Sequence, residues 1–157
     1  MSTTSSTATG TGQAQSSTTA ATSHRCETFA CSTPRPVRVH PSPAWVEDDE
    51  FERRSTLDLV PVDRFVLIAG ERGEVWRNAA KVVADEFGVQ IDGWCIGHAA
   101  GDLRDPRLRF ERVREFGPEG VIVVRPDRCI AFRSMGAVDD PVAALRAVLT
   151  QVLARTT

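Results

Sequence analysis

Two residues of this chain stand at a spacing that could do chemistry: Cys95 and His98, in Trp94-Cys95-Ile96-Gly97-His98. A thiol and an imidazole so placed can supply two metal donors, and Cys129 offers a third. Zinc sites draw on four clustered ligands, or on three with a water, and the sequence has no further cluster to complete the set. The pair therefore reads as a core thiol and a neighbouring imidazole, and no metal is expected. A serine nucleophile fails in the same way. Ser55 and Ser134 lack a glycine-flanked elbow, and His24 and His40 fall in an irregular N-terminal arm. Glu71, Asp92 and Asp102 read as solvated carboxylates, and Arg125 and Arg133 as surface ion-pair partners rather than anion ligands. Residue types and spacing thus assemble no catalytic set and no cofactor ligands.

The elements that would position any such site begin late in the chain. Ser2 to Ser23 contains only Ser, Thr, Ala, Gly and Gln, too little apolar surface to offset the entropy of ordering, so a disordered leader is expected. His24 to about Asp49 is Pro-rich, with Pro34, Pro36, Pro41 and Pro43 each removing a backbone donor, and reads as an arm that orders only if Trp45 and Val46 dock on something. Residues 1–49 are thus assigned to leader and arm, and residues 50–157 to the folded domain.

Within that domain Arg64 to Ala69 has the length and β-branched content of a buried strand. After Gly70 and Gly73 the residues Trp76, Ala79, Ala80, Val83 and Phe87 recur at helical spacing, and Gly88 suits a left-handed cap. Val89 to Gly97 supplies a second strand, which one connecting helix makes parallel to the first. A short helix is expected from about Arg107. Val121–Val124 and Cys129–Arg133 form a hairpin turned at Arg125-Pro126-Asp127-Arg128, with Ile130 and Phe132 expected on one face. Asp140 caps a last helix that begins with Pro141. The order β-α-β-α-β-β-α predicts an α/β domain of thioredoxin-like layout, a mixed sheet of about four strands with helices on both faces. Such a fold places a redox dithiol at the start of the first helix, where the helix N-terminus lowers a thiol pKa. Here that position reads Gly70-Glu71-Arg72-Gly73 and holds no cysteine.

Composition narrows the function classes further. The formal net charge is −2 and the basic residues do not cluster, so nucleic acid is not an expected partner. No stretch approaches the roughly 20 apolar residues of a membrane span, and the N-terminus lacks the basic start and apolar run of a secretory signal. A cytoplasmic location is expected, in which the four cysteines stay reduced.

Beyond the fold, particular residues resemble one family. Ser55-Thr56-Leu57-Asp58-Leu59, the strand ending at Gly70 with Gly73, Trp76, Ala79 and Ala80 behind it, and Gly120 to Asp127 followed by Ile130-Ala131-Phe132-Arg133 are similar to the C-terminal domain of FAD-dependent aromatic-ring hydroxylases of the phenol, chlorophenol and polyketide type. Gly70, Trp76, Gly120, Arg125, Pro126, Asp127, Ala131, Phe132 and Arg133 carry the likeness, from Trp45 to the last helix. The resemblance implies a parent that reduces FAD with NADPH and hydroxylates an activated ring, with this domain packing or dimerising beside the catalytic body. The family's Gly-x-Gly-x-x-Gly phosphate turn does not occur in this sequence, and Gly101-Asp102 lies in the wrong context to stand for its later FAD-binding Gly-Asp motif. The chain is therefore expected to bind neither FAD nor NADPH, and to act by self-association or by binding a flavoprotein hydroxylase. Trp45, Val46, Leu57 and Leu59 are the expected rim of that surface. The alternatives are a free-standing interaction module and, last, a thiol oxidoreductase using Cys95.

Overall fold

The computed structural model describes residues 44–154, so the expected leader and most of the arm lie outside the described residues. Ten elements follow in order: β1 (Trp45–Glu47), β2 (Arg53–Ser55), β3 (Phe65–Gly70), α1 (Glu74–Phe87), β4 (Ile91–Gly97), β5 (Leu103–Arg104), α2 (Arg109–Val113), β6 (Val121–Val124), β7 (Ile130–Ser134) and α3 (Pro141–Val152). They build one mixed sheet ordered β2-β1-β5-β4-β3-β6-β7. β3, β4 and β5 are mutually parallel neighbours, whereas β6 runs antiparallel to β3, and β1 antiparallel to both β2 and β5.

The centre of the sheet follows from strand alternation. Phe65, Leu67 and Ala69 of β3 point to the side covered by α1 and α3, where they meet Trp76, Val83, Phe132 and Leu149. Val66 and Ile68 point to the other side, into a second core with Val46, Leu59, Phe110 and Phe116 beneath the short α2. α1 ends where Gly88 takes φ 63° and its N–H reaches the Ala84 carbonyl. α3 starts where the Asp140 carboxylate accepts the Ala143 N–H at 2.9 Å, with Pro141 in the first turn. These ends are the ones the sequence predicts.

The structure corrects three expectations. The sheet has seven strands rather than about four, because β1, β2 and β5 are two or three residues long, too short to carry a period of their own. The arm does not run to Asp49: β1 pairs Trp45 with Ser55 and Glu47 with both Arg53 and Arg104, so the folded unit includes residues assigned to the arm. Ile130 and Phe132 do not share a face either. A bulge beside Val123 and Val124 pairs Val124 with Ile130 but Val123 with Phe132. The extra residue, Ala131, turns both itself and Phe132 to the α1–α3 side and leaves Ile130 on the other.

Candidate functional site

The carboxyl ends of β3 and β4, where α1 begins, are where a fold of this layout would place chemistry. Their residues are engaged within the chain. The Gly70 N–H donates to the Gly120 carbonyl at 3.0 Å and the Arg72 N–H to the Pro118 carbonyl at 2.9 Å. A Cβ on Gly70 would lie 2.4 Å from the Pro118 oxygen, and one on Gly73 would lie 2.4 Å from the Ala69 Cβ. These glycines therefore admit the chain's own backbone rather than cradle a ligand, and the turn does not fit a dinucleotide pyrophosphate. Trp76, fully buried in the first turn of α1, donates its indole N–H to the Glu119 carbonyl at 2.9 Å and lies 5.7 Å from the Phe132 ring.

Behind this turn, Asp102 ties the loop after β4 back to the sheet. Its Oδ2 accepts the Cys95 N–H at 2.8 Å, and its Oδ1 takes a charged hydrogen bond from Arg77 of α1. Arg77 also meets Glu74 at 3.1 Å, and the Asp102 contact raises its pKa. Asp102 is thus no freely solvated carboxylate, as its sequence context suggests, but a part-buried link between α1, β4 and their loop. Glu71 and Asp92 are half-buried, Asp92 facing Arg64 at 3.7 Å.

Cys95 is buried in the α1–α3 core, and burial, then the Asp102 anion, pushes its thiol pKa up. His98 is exposed, its Nδ1 3.3 Å from the Asp105 carbonyl oxygen. Cys129, also buried, sits in the β6–β7 turn with its N–H on Asp127 at 3.1 Å. The three candidate donors are therefore not gathered, and among the described residues no group of three or more His, Cys, Asp or Glu could hold a metal. The two serines are used locally: the Ser55 Oγ accepts the Leu57 N–H, and the Ser134 Oγ–H donates to the Gly136 carbonyl. His24 and His40 lie outside the described residues.

The motif residues of the β6–β7 hairpin do structural work. Pro126 opens the turn, the Arg125 N–H reaches the Cys129 carbonyl at 2.8 Å, and the Arg125 guanidinium pairs with Asp127 at 2.9 Å. Arg128 closes the turn at φ 64°, a left-handed conformation that favours glycine. Arg133 pairs with Glu115 at 2.7 Å, Ala131 and Phe132 fill the core, and a Cβ on Gly120 would meet the Ser134 oxygen at 2.7 Å. Sequence reasoning missed Asp105. Its buried carboxylate accepts the N–H groups of Arg109 and Glu111 and so starts α2; the Asp105-Pro106 pair ahead of a charged helix was the available signal.

The expected rim divides. Val46 and Leu59 are core residues of the α2 side: β1 is a strand of the sheet that turns Val46 into that core, and the 57–60 turn adds Leu59 to it. Leu57 is half-buried, and Trp45 is 53% exposed. Trp45, Glu47 and Arg53 face Pro106, Arg107 and Arg109 across an open hollow of about 240 Å³. No helix among the described residues is long and apolar enough to cross a membrane.

Residues 33–156 match the family described as aromatic-ring hydroxylase, C-terminal. Phenol 2-monooxygenase of Pseudomonas sp. (strain EST1001) is 36% identical over 107 residues, 68% of this chain and 17% of that protein. Aklavinone 12-hydroxylase of Streptomyces purpurascens is 39% identical over 104 residues, 66% of this chain and 19% of that protein. The crystal structure of aklavinone-11 hydroxylase with FAD and aklavinone superposes with a TM-score of 0.65 at 35% identity, over 72% of this chain and 20% of that one. A thioredoxin-like protein from Porphyromonas gingivalis superposes with a TM-score of 0.51 at 14% identity, over 92% of its own length, a likeness of fold alone.

Proposed function

Because the chain belongs to the aromatic-ring hydroxylase C-terminal family and spans about a fifth of the length of the curated relatives it matches, we propose that it is the non-catalytic packing domain of such a hydroxylase. In this reading the flavin and the aromatic substrate are held by parts that the relatives have and the matched segment lacks, and this domain seats itself against them. The observation that carries it is the β3–α1 turn. Gly70 and Gly73 are packed against Pro118 and Ala69, and the backbone N–H groups of Gly70 and Arg72 are spent on the chain itself. A phosphate-binding turn keeps such donors free for its ligand.

The same turn and the buried Cys95 speak against thiol exchange, since a reactive thiol needs exposure and a lowered pKa. A second reading, a free-standing interaction module, has only the thioredoxin-like layout behind it, and a fold by itself assigns no role. Flavin titration separates the packing domain from a flavoprotein. The full chain is expected to leave FAD fluorescence unchanged and NADPH unoxidised, and a stoichiometric FAD complex of about micromolar affinity would overturn the proposal. Co-sedimentation with a flavin hydroxylase encoded beside it separates packing domain from free module.

A further inference from the structure

Arg114, at the end of α2, is a charge that the fold buries without a close counter-charge. Its side chain is 6% exposed, the most buried guanidinium among the described ion pairs, yet its contact is the longest of them: Nη2 stands 4.0 Å from the Glu111 carboxylate, beyond hydrogen-bonding reach. The half-buried Arg77 and Arg133, by contrast, each hold a carboxylate by a short charged hydrogen bond.

What surrounds Arg114 instead is aromatic. Its Cζ lies 6.0 Å from the Phe110 ring centroid and 5.6 Å from that of Phe116, and both rings belong to the α2-side core. Ring faces attract the cation but offer no lone pair to its five N–H donors. Nε is sealed from water with no acceptor, whereas the two Nη nitrogens keep the side chain's slight opening to solvent. The buried carboxylate of Asp105 is already engaged by the Arg109 and Glu111 N–H groups. A buried cation without its counter-ion is a costly arrangement, so an anion from elsewhere has a large term to relieve. A planar carboxylate suits the place: its two oxygens match the guanidinium fork, and its single charge neutralises the single cation.

We infer that Arg114 is a carboxylate-binding point, which takes one carboxylate group from outside residues 44–154 onto its Nη nitrogens. Two sources share that chemistry: a small free carboxylate, or Glu27, the only acidic side chain among residues 1–43 and 155–157. The inference goes beyond the packing role and does not rest on it; the flavin titration reads one and anion titration the other.

Thermal melting of the full chain in about 10 to 300 mM sodium acetate, against sodium chloride of equal ionic strength, tests it beside Arg114→Met, which fills similar space without charge or donors. General salt effects act on both chains alike, so the difference between them reads the site. If the carboxylate is free, acetate should raise the wild-type midpoint by about 2–5 °C more than that of Arg114→Met, and in chloride Arg114→Met should melt no lower than wild type. If it is Glu27, acetate should act on Glu27→Gln and not on wild type. Glu27→Gln should then melt lower than wild type in chloride, a loss that adding Arg114→Met abolishes. A second readout needs no Arg114 variant: the sealed Nε–H should give a slowly exchanging NMR signal that shifts on acetate titration of wild type or of Glu27→Gln. Acetate that moves neither that signal nor the midpoint of wild type and Glu27→Gln relative to Arg114→Met overturns the inference. So does a Glu111→Gln variant that melts lower in chloride by an amount that Arg114→Met cancels, since Glu111 would then be the partner.

Discussion

Trp76 offers the sharpest test of whether the family motif is structural here. The indole is fully buried between β3, β6 and β7, donates to the Glu119 carbonyl at 2.9 Å, and meets the Phe132 ring at 5.7 Å with the planes tilted by 56°. Trp76→Ala removes the ring and leaves a cavity in the core, a change that costs about 3–5 kcal/mol. It also leaves the Glu119 carbonyl without its donor, which adds about 1–3 kcal/mol if that oxygen stays dry. Against a total stability of about 5–15 kcal/mol, the Ala variant should be marginal or unfolded. Trp76→Phe keeps most of the packing and loses the hydrogen bond, so its cost should be about 1–3 kcal/mol. Urea denaturation followed by far-UV circular dichroism reads both, and a double-mutant cycle with Phe132→Leu should return a coupling of about 0.5–1.5 kcal/mol. If Trp76→Ala cost under about 1 kcal/mol, the packing account of the motif would be refuted. A Phe variant as damaging as the Ala variant would show that the hydrogen bond, not the ring, carries the energy.

Further outcomes follow from the same geometry. Cys95 should alkylate more slowly in the folded chain than after denaturation, since burial and the Asp102 anion both hold its thiol protonated; Asp102→Asn should speed labelling, and no change on that substitution would contradict the electrostatic part. The raised thiol pKa also sets a sign: its contribution to stability is present below the ordinary thiol value of about 9 and is lost as pH rises through the higher folded value, so urea midpoints should fall on the alkaline side. Arg128→Gly should stabilise the domain by about 0.5–1 kcal/mol by relieving the left-handed turn residue, provided that the Arg125–Asp127 turn is kept; a loss in thermal melting would mean that the arginine side chain matters more than its backbone. Leu59→Ser should cost about 2–4 kcal/mol as a core substitution, whereas Trp45→Ser should leave stability within about 0.5 kcal/mol, and equal effects would place both residues in the same environment.

Much of the centre of this protein is determined by sequence alone. Strand β3, helix α1 with its Gly88 end, the Pro126 turn and the Asp140–Pro141 start of α3 are each specified within a few neighbouring residues, by period, cap or φ restriction, and local signals of that kind need no partner to be read. The absence of a thiol from Gly70-Glu71-Arg72-Gly73 is equally local. Only the tertiary structure decided the rest. β1, β2 and β5 exist because neighbouring strands supply their hydrogen bonds, and two or three residues are too few to show alternation. That pairing draws Val46 and Leu59 inward and leaves Trp45 and Phe51 outside, a division that hydrophobicity does not reveal because all four are apolar. Asp102 became a structural link, and Trp76 found its acceptor, through partners 25 and 43 residues away in the chain. A polar group's role is set by what the fold brings within about 3 Å of it, and that distance is defined only once the chain has closed on itself.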